Sequence, residues 1–255
     1  MFVSPLPINT GVIYSADYFQ GAEQGFGYTD YDADKEAMRD TFVRYLQYVE
    51  KITNGPGRLL DVGAATGFFL SIAKERGWEV AGIELSDFAA AEGRKKGFEI
   101  RTGTLGTTDF LAGSFDLVTM WDVIEHVTNP AKELGLVWKL LKPGGIVAIN
   151  TPDAGSLLAR FLGTNWHALV PPEHLYYFKV SNLSQVLSTQ KFTVLANTKF
   201  TKKFTILYIY KTLINWKPWF TWAWLGRFLE RQEIKNISLP LYLGDNFFLV
   251  AQKPK

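Results

Sequence analysis

Asp61, Gly63, Ala65 and Gly67 stand at every second position inside LLDVGAATGFFL, Leu59 to Leu70. Small residues at that spacing let a chain turn tightly and let a ligand approach the main chain. A helix starting at the end of such a turn aims its first N–H groups back at that ligand. Glu84 follows 23 positions after Asp61. A carboxylate at that distance, at a strand end, can accept hydrogen bonds from both hydroxyls of a ribose. Its charge disfavours a ligand with a 2′-phosphate. Two of the three histidines each follow an acid, as Glu125-His126 and Glu173-His174. A neutral imidazole beside a carboxylate suits the removal of a proton from a hydroxyl nucleophile. His167 is the weaker candidate. No histidine pair has helical ligand spacing, and acids and histidines do not cluster along the chain as in a zinc site, so no metal is expected.

Alternating elements must position these residues. Strands are expected near Arg58–Val62, Glu79–Ile83, Phe98–Arg101, Phe115–Met120, Ile146–Asn150, Phe192–Thr198 and Asn246–Gln252. Helices are expected near Gly67–Arg76, Asp87–Lys96 and Pro130–Leu141, with Gly77, Gly97 and Lys142-Pro143-Gly144-Gly145 as their stops. An earlier helix, capped by Asp32 or Asp34, runs to about Ile52, with Met38, Phe42, Tyr45, Leu46 and Val49 on one face. This order implies a doubly wound parallel sheet with right-handed crossovers. Residues 1–31 read as an aromatic, glycine-rich arm that either packs on the domain or covers a ligand as a lid with its tyrosines, Tyr28 and Tyr31 among them.

The 255 residues suffice for one α/β domain with an added element, and an apolar content of 47% is ample for its core. The expected division is 1–53 for the arm and first helix, 54–200 for the nucleotide-binding core, 201–240 for a helical insertion and 241–255 for the last strand. Net charge is +2, so nucleic acid is not expected as a partner. Cysteine is absent, which excludes disulfides and thiolate chemistry. The first residues lack the look of a signal peptide, and no run reaches the roughly 18 apolar residues of a membrane span. A cytoplasmic location is the expectation. Between Lys199 and Lys235 there are eight Lys or Arg against two Glu, and Trp216, Trp219, Trp222 and Trp224 fall within nine residues. An aromatic face with basic flanks suits an anionic membrane surface, an amphipathic substrate or a partner subunit, including a second copy in a homodimer. It also suits a cap buried on the domain, the plainer reading.

The pattern D-x-G-x-A-x-G resembles the first motif of the class I S-adenosylmethionine (SAM) methyltransferases, with Ala65 where a glycine is usual. FDLVTMWDVIEHVTNP (Phe115 to Pro130), LLKPGGIVAINTP (Leu140 to Pro152) and PEHLYYF (Pro172 to Phe178) resemble segments of the subgroup that includes ubiquinone O-methyltransferases. The resemblance implies a Rossmann-like seven-stranded sheet, strands one to five parallel and strand seven antiparallel. It implies SAM as methyl donor and S-adenosylhomocysteine as product. Asp61, Gly63, Ala64, Ala65, Gly67, Glu84 and Leu85 would hold the cofactor, Thr104 and Leu105 its adenine, and Met120, Trp121 and Asp122, at the end of the fourth strand, would lie beside it. His174 and His126 would be the bases, with Tyr28, Tyr31, Trp166 and Tyr177 around the acceptor. The acceptor would be a small or lipid-like molecule, methylated at oxygen. The competing functions are an NAD-dependent oxidoreductase, disfavoured because G-x-G-x-x-G fails at Phe68, and a non-catalytic SAM-binding or membrane-docking module. A nucleic-acid methyltransferase is disfavoured by Trp121-Asp122 where N-P-P-Y would stand.

Overall fold

The computed structural model describes residues 3, 31–171, 173–200, 202–206, 210, 228–229, 238–241 and 244–255. The expectations for Tyr28, for most of the arm and for the tryptophan-rich run lie outside these residues.

Two helices open the described chain, α1 (Tyr31–Glu36) and α2 (Arg39–Thr53). The single helix expected here is broken at Ala37-Met38, where the Met38 N–H donates to the Lys35 carbonyl at 2.8 Å. Helix α2 buries Phe42, Tyr45, Leu46 and Val49, one side of its cylinder, and stops at Asn54 in the left-handed conformation. The nucleotide-type unit follows as β1 (Arg58–Val62), α3 (Phe68–Glu75), β2 (Glu79–Glu84), α4 (Asp87–Lys95), β3 (Glu99–Thr102) and β4 (Phe115–Trp121). Then come α5 (Pro130–Leu140), β5 (Leu141–Pro152), α6 (Leu157–Leu162), α7 (Val180–Thr189), β6 (Thr193–Thr198), β7 (Lys202–Thr205), β8 (Ser238–Leu241) and β9 (Asn246–Gln252). Side-chain caps start three of the helices: Ser86 Oγ accepts from the Ala89 N–H, Asn129 Oδ1 from the Lys132 N–H, and Ser156 Oγ from the Ala159 N–H.

Seven strands form one sheet in the order β3-β2-β1-β4-β5-β9-β6. Strands β1 to β5 are parallel, and β9 runs antiparallel between β5 and β6. Alternate residues of each strand feed opposite core layers. Leu59, Leu117, Ile146 and Ala148 pack with α2 and α3, whereas Leu60, Val118, Met120, Val147 and Ile149 pack with α5 and α7. Strand order reverses between β1 and β4, and ligands bind beyond the carboxyl ends of such strands.

Two further expectations are corrected. Strand β5 starts at Leu141 rather than Ile146, because an irregularity opposite Phe115–Leu117 absorbs Lys142-Pro143-Gly144-Gly145 into the strand. The insertion is not helical throughout: its two ends, β7 and β8, pair as a separate antiparallel ribbon.

Candidate active site

The turn after β1 is built as its residue types require. Gly63 has φ +78° and a Cβ there would lie 2.6 Å from Val123 Cγ2. Ala65 has φ +47°, so the departure from glycine at this position places an L-residue in the left-handed region. Its methyl is buried beside Ala89, with Tyr31 and Phe88 packed against the pair. The turn is fixed from behind by Glu84, whose carboxylate accepts the Ala65 N–H and the Ser86 N–H, both at 2.8 Å. Glu84 is thus buried, and burial raises its pKa against the opposing pull of those N–H donors.

A cavity of about 530 Å³ lies over this turn. Of the residues singled out from the sequence, Asp61, Gly63, Ala64, Ala65, Leu85, Thr104, Leu105, Trp121, His126, His174 and Tyr31 line it. Gly67 does not; it caps α3 and borders a smaller recess beside Asp32 and Lys96. Glu84 lies behind the wall as described, so the structure shows it holding the turn. Met120 is fully buried on the opposite face of the sheet, because residues 119 and 121, not 120, point toward the α2 side. Trp166 and Tyr177 do not line the cavity; they pack in a buried cluster with Ala159 and Ala168, and Ala168 alone of these reaches its wall. Phe42 and Phe69, not expected here from the sequence, complete an aromatic wall with Trp121, and Glu173, Thr128 and Asn246 also border the cavity. Phe42 reads as ordinary helix core; only its place at the strand ends gives it a second use.

Asp61 is 1% exposed and accepts a hydrogen bond from Thr119 Oγ1 at 2.6 Å. Burial pushes its pKa up to about 8, and the charge of Glu84 adds to that. Two buried acids beneath one turn form a site that favours a cationic ligand.

The histidines meet. Their rings stand edge to face with centroids 4.7 Å apart. Each Nδ1 faces a backbone carbonyl, Glu173 for His126 (2.9 Å) and Ala168 for His174 (2.8 Å). A carbonyl only accepts, so each Nδ1 carries the hydrogen and each Nε2 is the basic atom. Burial, and then the neighbouring His126, pushes His174 down to about 4; burial also lowers His126, against the charges of Glu173 and Asp122. Both rings are therefore neutral near pH 7. Glu125 is buried and accepts from Thr151 Oγ1 at 2.9 Å. Donor atoms of Glu125, His126 and His174 lie within 4.8 Å of one another, a set of the kind that can hold a cation. This corrects the expectation that acids and histidines do not cluster: the fold joins His126 to His174, 48 positions later. His167 also reaches the cavity, its Nε2 3.1 Å from Asp245 Oδ2.

The methyltransferase-domain family matches residues 31–197, and the chain belongs to it. A ubiquinone biosynthesis O-methyltransferase of Alkalilimnicola ehrlichii is 35% identical over 132 residues, 48% of this chain and 53% of that protein. The chain spans about half the length of the first curated relatives it matches, 55% and 53%. Among solved structures, a SAM-dependent methyltransferase of Thermotoga maritima superposes with a TM-score of 0.56 at 22% identity, covering 88% of this chain and 94% of that one. A phosphoethanolamine N-methyltransferase of Haemonchus contortus, solved with S-adenosylhomocysteine, gives 0.56 at 19%, covering 88% and 58%. These likenesses show the fold.

Proposed function

We propose that the chain is a SAM-dependent methyltransferase acting on a hydroxyl of a small aromatic or lipid-like acceptor. The observation that carries this reading is the turn at 63–67 over two buried acids, opening into the same cavity as two neutral imidazoles. When bound, SAM supplies an electrophilic methyl group on a cationic sulfur. Gly63, Ala64 and Ala65 would face its nucleoside, with Thr104 and Leu105 at the adenine and Asp61 near the positive charge. Glu84 contributes by pinning the Ala65 N–H. Phe42, Phe69 and Trp121 make a flat apolar wall for an aromatic acceptor. The Nε2 of His174 or His126 accepts the acceptor's hydroxyl proton and is held in that tautomer by the backbone carbonyl opposite Nδ1. The relatives' printed name, ubiquinone biosynthesis O-methyltransferase, favours oxygen as the attacking atom.

The test is transfer from SAM to catechol, a small aromatic diol. His174→Gln should lower kcat by roughly 100-fold with SAM affinity unchanged. Unchanged turnover in both His174→Gln and His126→Gln would remove the base assignment. The Glu125–His126–His174 donor set favours a second reading, in which a divalent cation activates the hydroxyl. Full activity after dialysis against EDTA supports the base; loss restored by Mg²⁺ or Zn²⁺ supports the cation.

The segment 201–235 would place the protein at an anionic membrane surface, its local charge and tryptophans being the support.

A further inference from the structure

Tyr45 belongs to α2, outside the strand–turn–helix unit, yet two hydrogen bonds join it to the cavity wall. Its hydroxyl donates to Asn150 Oδ1 at 3.0 Å, and Asn150 Nδ2 donates to Asp122 Oδ1 at 2.7 Å. The Asp122 N–H also donates to the Asn150 carbonyl at 2.9 Å. Tyr45 and Asn150 are buried at 2% and 3% exposure, whereas Asp122 lines the cavity. The direction of the chain is set by chemistry: an ionised carboxylate only accepts, so the amide turns its NH₂ to Asp122 and leaves Oδ1 for the phenol. Asp122 has φ +53°, the left-handed region, which an Asp adopts where local hydrogen bonds hold it. Tyr45 also fixes the neighbouring wall residue. Its ring stacks on Trp121 (5.0 Å, 8°) and on Phe248 (4.6 Å, 12°).

Bonds at both its N–H and its carboxylate fix how Asp122 faces the cavity. We propose that Tyr45 is a positioning residue: through Asn150 it holds the Asp122 carboxylate where that carboxylate accepts a hydrogen bond from the acceptor's hydroxyl and orients it toward the histidine pair. This rests on the methyl-transfer reading above. Acceptor geometry is thereby set from α2, and cofactor affinity is set separately by the turn after β1.

The experiment compares Tyr45→Phe, Asp122→Asn and the swap Asp122→Asn/Asn150→Asp in the full chain. Four quantities are read: SAM affinity and catechol affinity by calorimetry, the kcat and KM split, and the thermal midpoint. Tyr45→Phe keeps the ring stack and removes only the donor. It should lower kcat/KM for catechol by about tenfold, with SAM affinity within twofold. Asp122→Asn should lower transfer by roughly 100-fold. The swap restores a complete hydrogen-bond chain, since the amide brought to position 122 would donate to the carboxylate brought to position 150, and that carboxylate also accepts from Tyr45. It should recover the thermal midpoint of the wild type but not its turnover. Recovery of turnover in the swap would reduce the network to a structural role and overturn the proposal. A loss of SAM affinity in Tyr45→Phe equal to the loss for catechol would overturn it too, by assigning Asp122 to the cofactor. Failure of the wild type to bind SAM would instead sink the methyl-transfer reading, and this inference with it.

Discussion

Asp61 is the residue whose environment makes the sharpest demand. Folded, its pKa is about 8; its ordinary value is 3.8. The folded state therefore binds the extra proton between those values, and this group's contribution to stability is lost as pH rises from about 4 to about 8. A cationic ligand reverses the balance by favouring the carboxylate. SAM binding at pH 7 should release a proton, read as a buffer-dependent binding enthalpy in calorimetry. Asp61→Asn should abolish that dependence, and a wild-type enthalpy indifferent to the buffer would contradict the assignment. Residue types and spacing made the turn, Asp61 and the two acid–histidine pairs legible. They did not disclose that His126 and His174 touch, because the segment carrying His174 returns over the site only through tertiary packing, its Leu175 and Tyr176 N–H groups donating to the Glu125 carbonyl. Nor did they separate Met120 from Trp121, which the pleat sends to opposite faces.

At the scale of elements, alternation of strands and helices was readable because each strand is a short apolar run closed by a turn signal. The misses fall where local signals compete. Pro143 and the two glycines after it read as a break, yet β5 runs through them by way of an irregular register. The close approach of the turn to β2 has its own requirement. A Cβ at Gly82 would lie 2.6 Å from the Ala64 Cβ, an atom fixed to the backbone. Gly82→Ala should therefore push the turn outward, costing about 1–3 kcal/mol in urea unfolding and weakening SAM binding. An alanine variant as stable as the parent, with the parent's affinity, would show that the turn is not held by this contact.

Over the whole molecule, the inserted stretch leaves from the active-site end. Asn246, the first residue of β9, pairs with Pro152 at the carboxyl end of β5 and lines the cavity. The two feet of the excursion are fastened together. Lys199 Nζ donates to Asp153 Oδ2 at 2.7 Å and to the Gly244 carbonyl at 2.6 Å. No helix among the described residues is long and apolar enough to cross a membrane. If segment 201–235 docks on a membrane surface, the protein should sediment with vesicles containing phosphatidylglycerol at low salt and be released by about 0.5 M NaCl, where screening shortens to a few ångströms. Indifference to vesicle charge would contradict that placement.

On the methyl-transfer reading the cavity over residues 63–67 holds SAM. A crystal structure of the complex with S-adenosylhomocysteine tests it most directly. The nucleoside should lie across Gly63–Ala65 with its base against Leu105 and Thr104 and its amino acid end toward Asp61, leaving the Trp121 wall open for the acceptor. A nucleoside bound anywhere else, or a cavity that stays without it at saturating concentration, would contradict the account.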